Sequence, residues 1–263
     1  MRIAFLGDIV GRPGRTAVAA IIGGLRKDRG VQLVVANCEN ASHGKGVSPR
    51  VAEELRDTGI DVLTSGNHVW NDRAIVPYLQ ESSRLLRPFN LPPGTPGRGW
   101  TVIESPAGPL AVLNLIGRVF MGSADCPFRA ADVALAEIAG QATAILVDIH
   151  AEATSEKGAI ARYLDGRVSA VIGSHTHVQT ADDMVLEGGT AVLTDAGMCG
   201  PVRSVLGVRA DRVIERFLTQ RPVRFDVADG PAIVQGAIVD IDEKTGRATA
   251  IVRVQERVAT HDA

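Results

Sequence analysis

The chain has 263 residues, with 28 Lys and Arg against 30 Asp and Glu, so its formal net charge is −2. This balance argues against a groove for long nucleic acid or an anionic membrane surface, and no apolar run approaches the ~20 residues that a membrane span needs. The N-terminus predicts a core strand rather than a signal peptide, and three widely spaced cysteines favour free thiols in a reducing cytoplasm.

Short apolar runs alternate with segments of helical periodicity along the first two thirds of the chain. In chain order, the prediction is strand Ile3–Leu6, helix Thr16–Lys27, strand Leu33–Ala36, helix Pro49–Thr58, strands Val62–Leu63, Thr101–Glu104 and Ala111–Leu115, helix Ala130–Ala139, strand Ile145–Ile149, helix Ser155–Leu164 and strand Ala170–Ile172. Alternation of this kind favours an α/β protein with helices outside mixed sheets.

The end of the chain has a different pattern, in which apolar and polar residues alternate on either side of two turns, Asp229-Gly230 and Lys244-Thr245-Gly246. This pattern is typical of antiparallel strands. The strands predicted from it are Val223–Val227, Ala232–Ile241 and Ala248–Val254.

The loop-rich segment Pro88–Gly99 is short and returns at once to strand-like sequence, so it predicts a surface loop rather than a domain boundary. We therefore expect one domain over residues 1–263. The apolar stretch Leu85–Leu91 is a candidate contact surface for a homo-oligomer.

Five segments share one pattern, an apolar run followed by side chains that bind metals. They are Gly7-Asp8, Asn37-Cys38-Glu39-Asn40, Gly66-Asn67-His68, Asp148-Ile149-His150 and Gly173-Ser174-His175-Thr176-His177. Any one of them has a common structural explanation, since an Asp after a first strand often caps a helix. The carboxyl ends of neighbouring parallel strands lie side by side, however, so all five segments can converge on one cleft.

The donor types indicate which metals such a cleft would hold. Carboxylates, imidazoles and amides without a set of thiolates suit Mn, Fe, Zn or Co rather than a structural Cys-rich zinc. Cys38 fits better as a small buried residue than as a ligand. The candidate ligands exceed the four that one zinc uses, whereas two ions about 3.5–4 Å apart would use them all and would act together on a phosphoryl group.

Two of these segments resemble known signatures. Gly66-Asn67-His68 and Gly173-Ser174-His175-Thr176-His177 are similar to the Gly-Asn-His and Gly-His-x-His motifs of calcineurin-like metallophosphoesterases, although Ser174 is an additional residue in the second. Nearly the whole chain resembles the YmdB-like bacterial branch of that superfamily. The resemblance implies a sandwich of two mixed β-sheets flanked by helices (α-β-β-α). It also implies a dinuclear phosphodiesterase that acts on cyclic nucleotides of the 2′,3′-cAMP type.

The chain departs from the wider superfamily in two motifs, and the YmdB-like branch shows the same replacements. Val10 stands where the superfamily has the His of its Asp-x-His motif, and residues 37–40 replace Gly-Asp-x-x-Asp. By this resemblance two divalent ions, Mn or Fe, share Glu39 as a bridging carboxylate. The implied ligands are Asp8, Glu39 and His177 for the first ion, with Asn40 beside it, and Glu39, Asn67, His150 and His175 for the second.

The resemblance also gives His68 a role. In the implied mechanism a hydroxide that bridges the two ions attacks phosphorus in line, and His68 assists the leaving oxygen. Val69 follows His68 where the superfamily often has an acidic residue, so Asp72 is a candidate orienting partner by position alone. The structural alternative for His68 is a loop histidine bonded to the backbone.

Three further residues are candidates for binding substrate. His43 and Lys45 lie in a glycine-containing segment directly after the second ligand motif, where they could meet a phosphate or a base. Arg118 could grip a phosphate through two hydrogen bonds. Each of the three would equally suit a surface loop.

Three other functions compete with a cyclic-nucleotide phosphodiesterase. A metal-dependent phosphomonoesterase or an RNA-processing nuclease would use the same ligands, although the absence of a basic stripe argues against long nucleic acid. A nucleotide-binding regulatory module with weak turnover is the second, and a zinc-dependent amide hydrolase is the third. We expect a small phosphodiester or nucleotide as substrate and no membrane partner.

Overall fold

The computed structural model describes residues 1–259, and two β-sheets form its centre. The first sheet has the order β2 (Asp8–Ile9), β11 (Met198–Pro201), β12 (Ala232–Ile241), β1 (Arg2–Leu6), β3 (Leu33–Asn37) and β4 (Val62–Thr64), with β13 (Ala248–Val258) paired to β12. The second has the order β5 (Trp100–Ile103), β6 (Leu110–Ile116), β7 (Ala144–His150), β8 (Ala170–Ser174), β10 (Ala191–Leu193) and β9 (Met184–Val185).

Six helices connect the strands over the same residues. They are α1 (Gly11–Lys27), α2 (Pro49–Asp57), α3 (Ile75–Glu81), α4 (Pro127–Ile138), α5 (Thr154–Tyr163) and α6 (Ala210–Thr219). None of the helices within residues 1–259 has the length and apolar character needed to cross a membrane.

Each sheet is mixed but contains a parallel centre. In the first sheet β1, β3 and β4 run parallel, while β12 is antiparallel to β1 and β13 is antiparallel to β12. In the second, β6, β7, β8 and β10 run parallel, with antiparallel β5 and β9 at the edges. Parallel neighbours end at the same edge of a sheet, so the predicted ligand segments are brought together there.

The apolar residues form three layers that follow the two-residue period of a strand. In β1, Ile3 and Phe5 pack between the two sheets, whereas Ala4 and Leu6 pack against the helices outside the first sheet. A third apolar cluster joins the second sheet to α4 and α5. The layers therefore run helix, sheet, sheet, helix, which confirms the predicted α-β-β-α sandwich.

Two expectations about local structure are wrong. Residues 223–227 form no strand, and only Val227 makes an isolated bridge, to Val208. The segment returns from α6, and its last residue, Val227, packs against Gly11 and Gly44 instead of pairing along a strand. Leu85 and Leu86 are fully buried in the core of the chain, so the segment that begins at Leu85 does not present the interface predicted for a homo-oligomer. The expectation of an oligomer, and that of a single domain over residues 1–263, stay predictions.

Several elements were not predicted. α3 contains Pro77, which weakens its helical pattern, and α6 buries only Val213 while Phe217 and Leu218 remain exposed. The short strands β2, β9, β10 and β11 have two to four residues each. Periodicity over so few residues carries little information.

A glycine at the centre of the first sheet allows a stability test. A Cβ atom added at Gly236 in β12 would overlap the carbonyl oxygen of Phe5 in β1. We expect Gly236→Ala to lower the free energy of unfolding by about 1–3 kcal/mol, measured by urea denaturation. Gly23→Ala in α1 is the matched control, because an added Cβ there meets nothing within 4 Å, and it should raise that free energy by about 0.5–1 kcal/mol. Equal stability of the two variants would contradict this account of the sheet.

Candidate metal centre

All seven predicted metal ligands lie at the carboxyl ends of the parallel strands. Asp8 follows β1, Glu39 and Asn40 follow β3, Asn67 follows β4, His150 ends β7, and His175 and His177 follow β8. A cleft of about 300 Å³ opens over this edge. Its walls include several of these ligands together with Val10, Glu152, Leu206 and Val208.

One group of ligands surrounds the imidazole of His150. Its Nε2 atom lies 3.0 Å from Glu39 Oε1, 3.0 Å from Asn67 Oδ1 and 3.0 Å from His175 Nδ1. Each of these atoms carries a lone pair, so their approach is unfavourable unless a proton or a cation lies between them. Protein ligands sit about 2.0–2.2 Å from a transition-metal ion, and atoms spaced in this way fit around one such ion.

A second group lies beside the first and contains Asp8, Asn40 and His177. The Nε2 atom of His177 is 3.4 Å from Asn40 Oδ1 and 3.9 Å from Asp8 Oδ1. Asp8 is fully buried, and its Oδ1 atom has no hydrogen-bond partner within residues 1–259. A buried carboxylate oxygen without a partner is costly, so this atom fits a cation better than an empty space.

Gly66 makes the close approach of the ligands to one another feasible. A Cβ atom at this position would collide with the ring of His150 and would lie 2.5 Å from Glu39 Oε2. The glycine of the Gly66-Asn67-His68 motif is therefore required because no side chain fits against the ligand cluster.

Glu39 and His150 change each other's pKa values, and both act on the pKa of His175, because their charges lie close together in the interior. Burial disfavours the charged forms of Glu39 and His150, but their mutual attraction outweighs it, so the pKa of Glu39 falls to about 2 and that of His150 rises to about 9. Burial and the neighbouring His150 lower the pKa of His175 to about 3. Without a metal, the proton on His150 stabilises the Glu39 carboxylate, and a divalent cation would take over that role.

Each of the three histidines has its second ring nitrogen next to a hydrogen-bond acceptor, an arrangement that orients metal-binding imidazoles. The pairs are His150 Nδ1 with Ser174 Oγ at 2.9 Å, His175 Nε2 with Glu152 Oε2 at 3.0 Å, and His177 Nδ1 with the Leu206 carbonyl oxygen at 2.9 Å. The sequence alone did not single out these roles. Ser174 lay within a recognised motif, but Glu152 and Leu206 gave no signal.

The turn that carries His175 and His177 is strained and is held by a buried ion pair. Both histidines have positive φ angles, 105° and 64°, which non-glycine residues rarely adopt outside functional sites. Asp195 Oδ2 accepts hydrogen bonds from the backbone N–H and the hydroxyl of Thr176 between them, and from Lys157 Nζ at 2.5 Å. Lys157 and Asp195, both buried, therefore fix the direction of the two histidines.

His68 lies in the same cleft, but among the described residues only its backbone is held by a hydrogen bond. Its backbone N–H donates to Glu39 Oε2 at 2.9 Å, and its half-buried side chain lines the cleft. Within residues 1–259 its ring has no hydrogen-bond partner. Asp72 accepts a hydrogen bond from the backbone N–H of Ala74 instead. The imidazole therefore borders the open cleft without being held by a hydrogen bond to the described part of the chain.

The three predicted substrate-binding residues are in different surroundings. Lys45 is exposed and lines the cleft, and His43, also exposed, lies in the same turn with a φ angle of 52°. Arg118 is exposed and lies just after β6. Within residues 1–259, it is not one of the residues that line the cleft. Its backbone N–H donates to both carboxylate oxygens of the buried Glu156.

The sandwich of two sheets and its ligands at the strand ends define a calcineurin-like metallophosphoesterase, a class that uses divalent metal ions. Residues 4–254 match the model of the YmdB-like protein family, and the chain belongs to that family.

The chain is 45% identical to the 2′,3′-cyclic-nucleotide 2′-phosphodiesterase of Bacillus subtilis over 97% of this chain and 96% of the relative. Two crystal structures are similar in fold. One is of a hypothetical protein from Thermus thermophilus, with a TM-score of 0.92, 43% identity, and coverage of 98% of this chain and 99% of the other. The second is of a novel phosphatase from Mycoplasma pneumoniae, with a TM-score of 0.92, 30% identity, and coverage of 98% and 93%.

The fit of Gly66 against the ligands gives a direct test of the site. We expect Gly66→Ala to weaken metal binding at least about 10-fold, the range seen when the support of metal ligands is disturbed, because its Cβ would push His150 and Glu39 apart. Competition with a chromogenic chelator would measure the affinity. Gly122→Ala, where an added Cβ meets nothing within 4 Å, should bind metal like the unmodified protein. Full metal affinity in Gly66→Ala would rule out the proposed cluster.

Proposed function

We propose that the protein is a dinuclear, metal-dependent phosphodiesterase that hydrolyses 2′,3′-cyclic nucleotides. The observation that carries the proposal is the pair of adjacent ligand groups, one around His150 Nε2 and one containing the unpartnered Asp8 Oδ1 atom. The name of the Bacillus subtilis relative, at 45% identity, supports the choice of substrate.

In this proposal Asp8, Asn40 and His177 would hold the first ion, Asn67, His150 and His175 would hold the second, and Glu39 would be shared by both. When bound, two divalent ions supply Lewis-acid stabilisation of phosphoryl oxygens and make water more acidic. Asn40 and Asn67 are neutral and contribute no negative charge, so the loaded site keeps a net positive charge that attracts a phosphodiester. Mn or Fe suits this mixture of nitrogen and oxygen donors, with Zn or Co as alternatives.

His68 has the position of a general acid in this proposal. Its backbone is fixed to Glu39 Oε2 and its ring faces the cleft. In a 2′,3′-cyclic nucleotide, a new bond forms between water oxygen and phosphorus while the bond from phosphorus to O2′ breaks. His68 donates a proton to O2′, and the proton that the attacking water gives up passes to solvent, from which His68 is protonated again. The product is a 3′-monophosphate, and the alcohol formed stays on the same ribose.

Lys45 and His43 are the proposed contacts to the substrate outside the ligand cluster. Lys45 lines the cleft and offers a positive charge to a phosphate, while Val10, Leu206 and Val208 form an apolar wall on which a base can pack. Arg118 stays a prediction. We place the enzyme in the cytoplasm because its three cysteines are free thiols.

Metal removal and a panel of substrates test the function. We expect incubation with a chelator to abolish hydrolysis of 2′,3′-cAMP and added Mn²⁺ or Fe²⁺ to restore it, because the two ions supply the Lewis-acid stabilisation of the phosphoryl oxygens. The panel contains 2′,3′-cAMP, 3′,5′-cAMP, a phosphomonoester and single-stranded RNA, with release of product measured by chromatography. Preferred turnover of the monoester or of RNA would favour a phosphatase or a nuclease, and tight binding without turnover would favour a regulatory module.

The role of His68 predicts a dependence on the leaving group. We expect His68→Ala to lower kcat for 2′,3′-cAMP by roughly 10²–10⁴-fold, the usual contribution of a general acid, while the metal content stays unchanged. The loss should be much smaller for bis(p-nitrophenyl) phosphate, whose leaving group needs no proton. An equal loss for both substrates would show that His68 does not act as a general acid.

A further inference from the structure

A chain of polar side chains lies buried behind the second ligand group. Asp148 and Ser174 are both fully buried, and neither is one of the proposed metal ligands. Asp148 lies two residues before His150 on β7, and Ser174 is paired with His150 across the parallel strands β7 and β8. This register places the serine hydroxyl between the carboxylate and the imidazole.

The distances between Asp148, Ser174 and His150 show which of their atoms donate and which accept hydrogen bonds. The Oγ atom of Ser174 lies 2.7 Å from Asp148 Oδ1 and 2.9 Å from His150 Nδ1. A serine hydroxyl has a single proton, and the carboxylate oxygen can only accept it. Ser174 must therefore accept from His150, which places a proton on Nδ1 and makes Nε2, the nitrogen that faces Glu39, the one that can bind a metal.

The neighbouring groups are consistent with this assignment. Thr64 Oγ1 donates to Asp148 Oδ2 at 2.5 Å, so the second carboxylate oxygen also acts as an acceptor. The amide nitrogen of Asn37 is farther away, 3.3 Å from Asp148 Oδ2 and 3.4 Å from His150 Nδ1. The shorter contacts to Ser174 therefore determine the state of the ring.

We propose that Asp148 and Ser174 form a relay that fixes the tautomer of His150 and so sets the affinity of the second metal site. Ser174 is then a positioning residue, since it acts through His150. The proposal rests on the proposed dinuclear centre. It also explains Ser174, the residue that makes this chain differ from Gly-His-x-His, as the residue that links His150 to a buried carboxylate.

The relay differs from the supports of the other two histidines. Glu152, which faces His175 Nε2, is exposed, and His177 relies on the carbonyl of Leu206 in a surface loop. The partners of His150 are closed to water, so solvent cannot replace the lost hydrogen bond when Ser174 is changed. The loss of metal affinity should accordingly be largest for this relay.

Ser174→Ala tests the proposal. We expect the apparent dissociation constant of the second metal to rise about 10–100-fold, the range for partners of metal-binding histidines. The variant should therefore bind one ion per chain at Mn²⁺ concentrations where the unmodified protein binds two. Equilibrium dialysis with elemental analysis would measure the stoichiometry.

Ser169→Ala is the matched control. Ser169 is a buried serine just before β8, and its hydroxyl bonds the Gly246 carbonyl oxygen at 2.6 Å and the Ile145 N–H at 3.0 Å, away from the ligands. This variant should lose stability but keep both metal affinities. Unchanged metal binding in Ser174→Ala, or an equal loss in both variants, would overturn the relay.

Two further measurements keep the proposal testable if Ser174→Ala does not fold. Asp148→Asn keeps the volume of the side chain but removes the obligate acceptor, so it should also weaken the second metal. Nitrogen-15 NMR of the Zn²⁺-loaded protein should show His150 protonated at Nδ1, and an unprotonated Nδ1 would refute the relay.

The outcomes for the relay and for the function are separable. A protein that binds two metals but hydrolyses no cyclic nucleotide would refute the proposed function and leave the relay intact. An active enzyme whose Ser174→Ala variant keeps its second metal would refute the relay alone.

Discussion

The buried carboxylate of Glu39 is the constraint on which the rest of the site depends. An ionised group in the interior is costly unless positive charge and hydrogen bonds compensate for its lost solvation. Glu39 Oε2 accepts from the backbone of His68, and Oε1 lies 3.0 Å from His150 Nε2. Glu39 follows β3, whereas its two partners come after β4 and at the end of β7, so both sheets must be in place before the carboxylate is stabilised.

The same need for compensation extends one layer behind the ligands. Lys157 pairs with Asp195 in the interior, and Asp195 in turn holds Thr176 between the two histidines. Asp148 is bonded by Ser174 and Thr64. Removing one member of such a pair leaves an uncompensated buried charge. These residues therefore contribute both to the geometry of the proposed metal site and to the stability of the fold.

One wall of the cleft is not part of either sheet. The segment between β11 and β12 supplies the Leu206 carbonyl that orients His177 and the side chains of Leu206 and Val208 that line the cleft. Val227 anchors its return by packing over Gly11 and Gly44. A segment outside the sheets thus shapes one wall of the cleft, while the strands of the two sheets carry the proposed metal ligands.

The order of most of the longer strands and helices could be predicted from the sequence, because apolar period and turn residues are local properties. β1, α1 and the hairpin of β12 and β13 are examples. The segment Val223–Val227 was misjudged for the same reason. Its alternation resembles a strand, but a strand needs a neighbour to pair with, and here the return from α6 supplies only one bridge, to Val208.

The sequence by itself determined which side chains would meet in one cleft, since carboxylates, amides and imidazoles after apolar runs lie at one edge of any parallel sheet. That they hold metal ions is our proposal. Only the tertiary structure decided how they are oriented. Ser174 meets His150 through the register of β7 with β8, and Leu206 meets His177 across 29 residues of sequence. Contacts of this kind depend on strand order and on the path of a loop, and neither is encoded in the local pattern of residues.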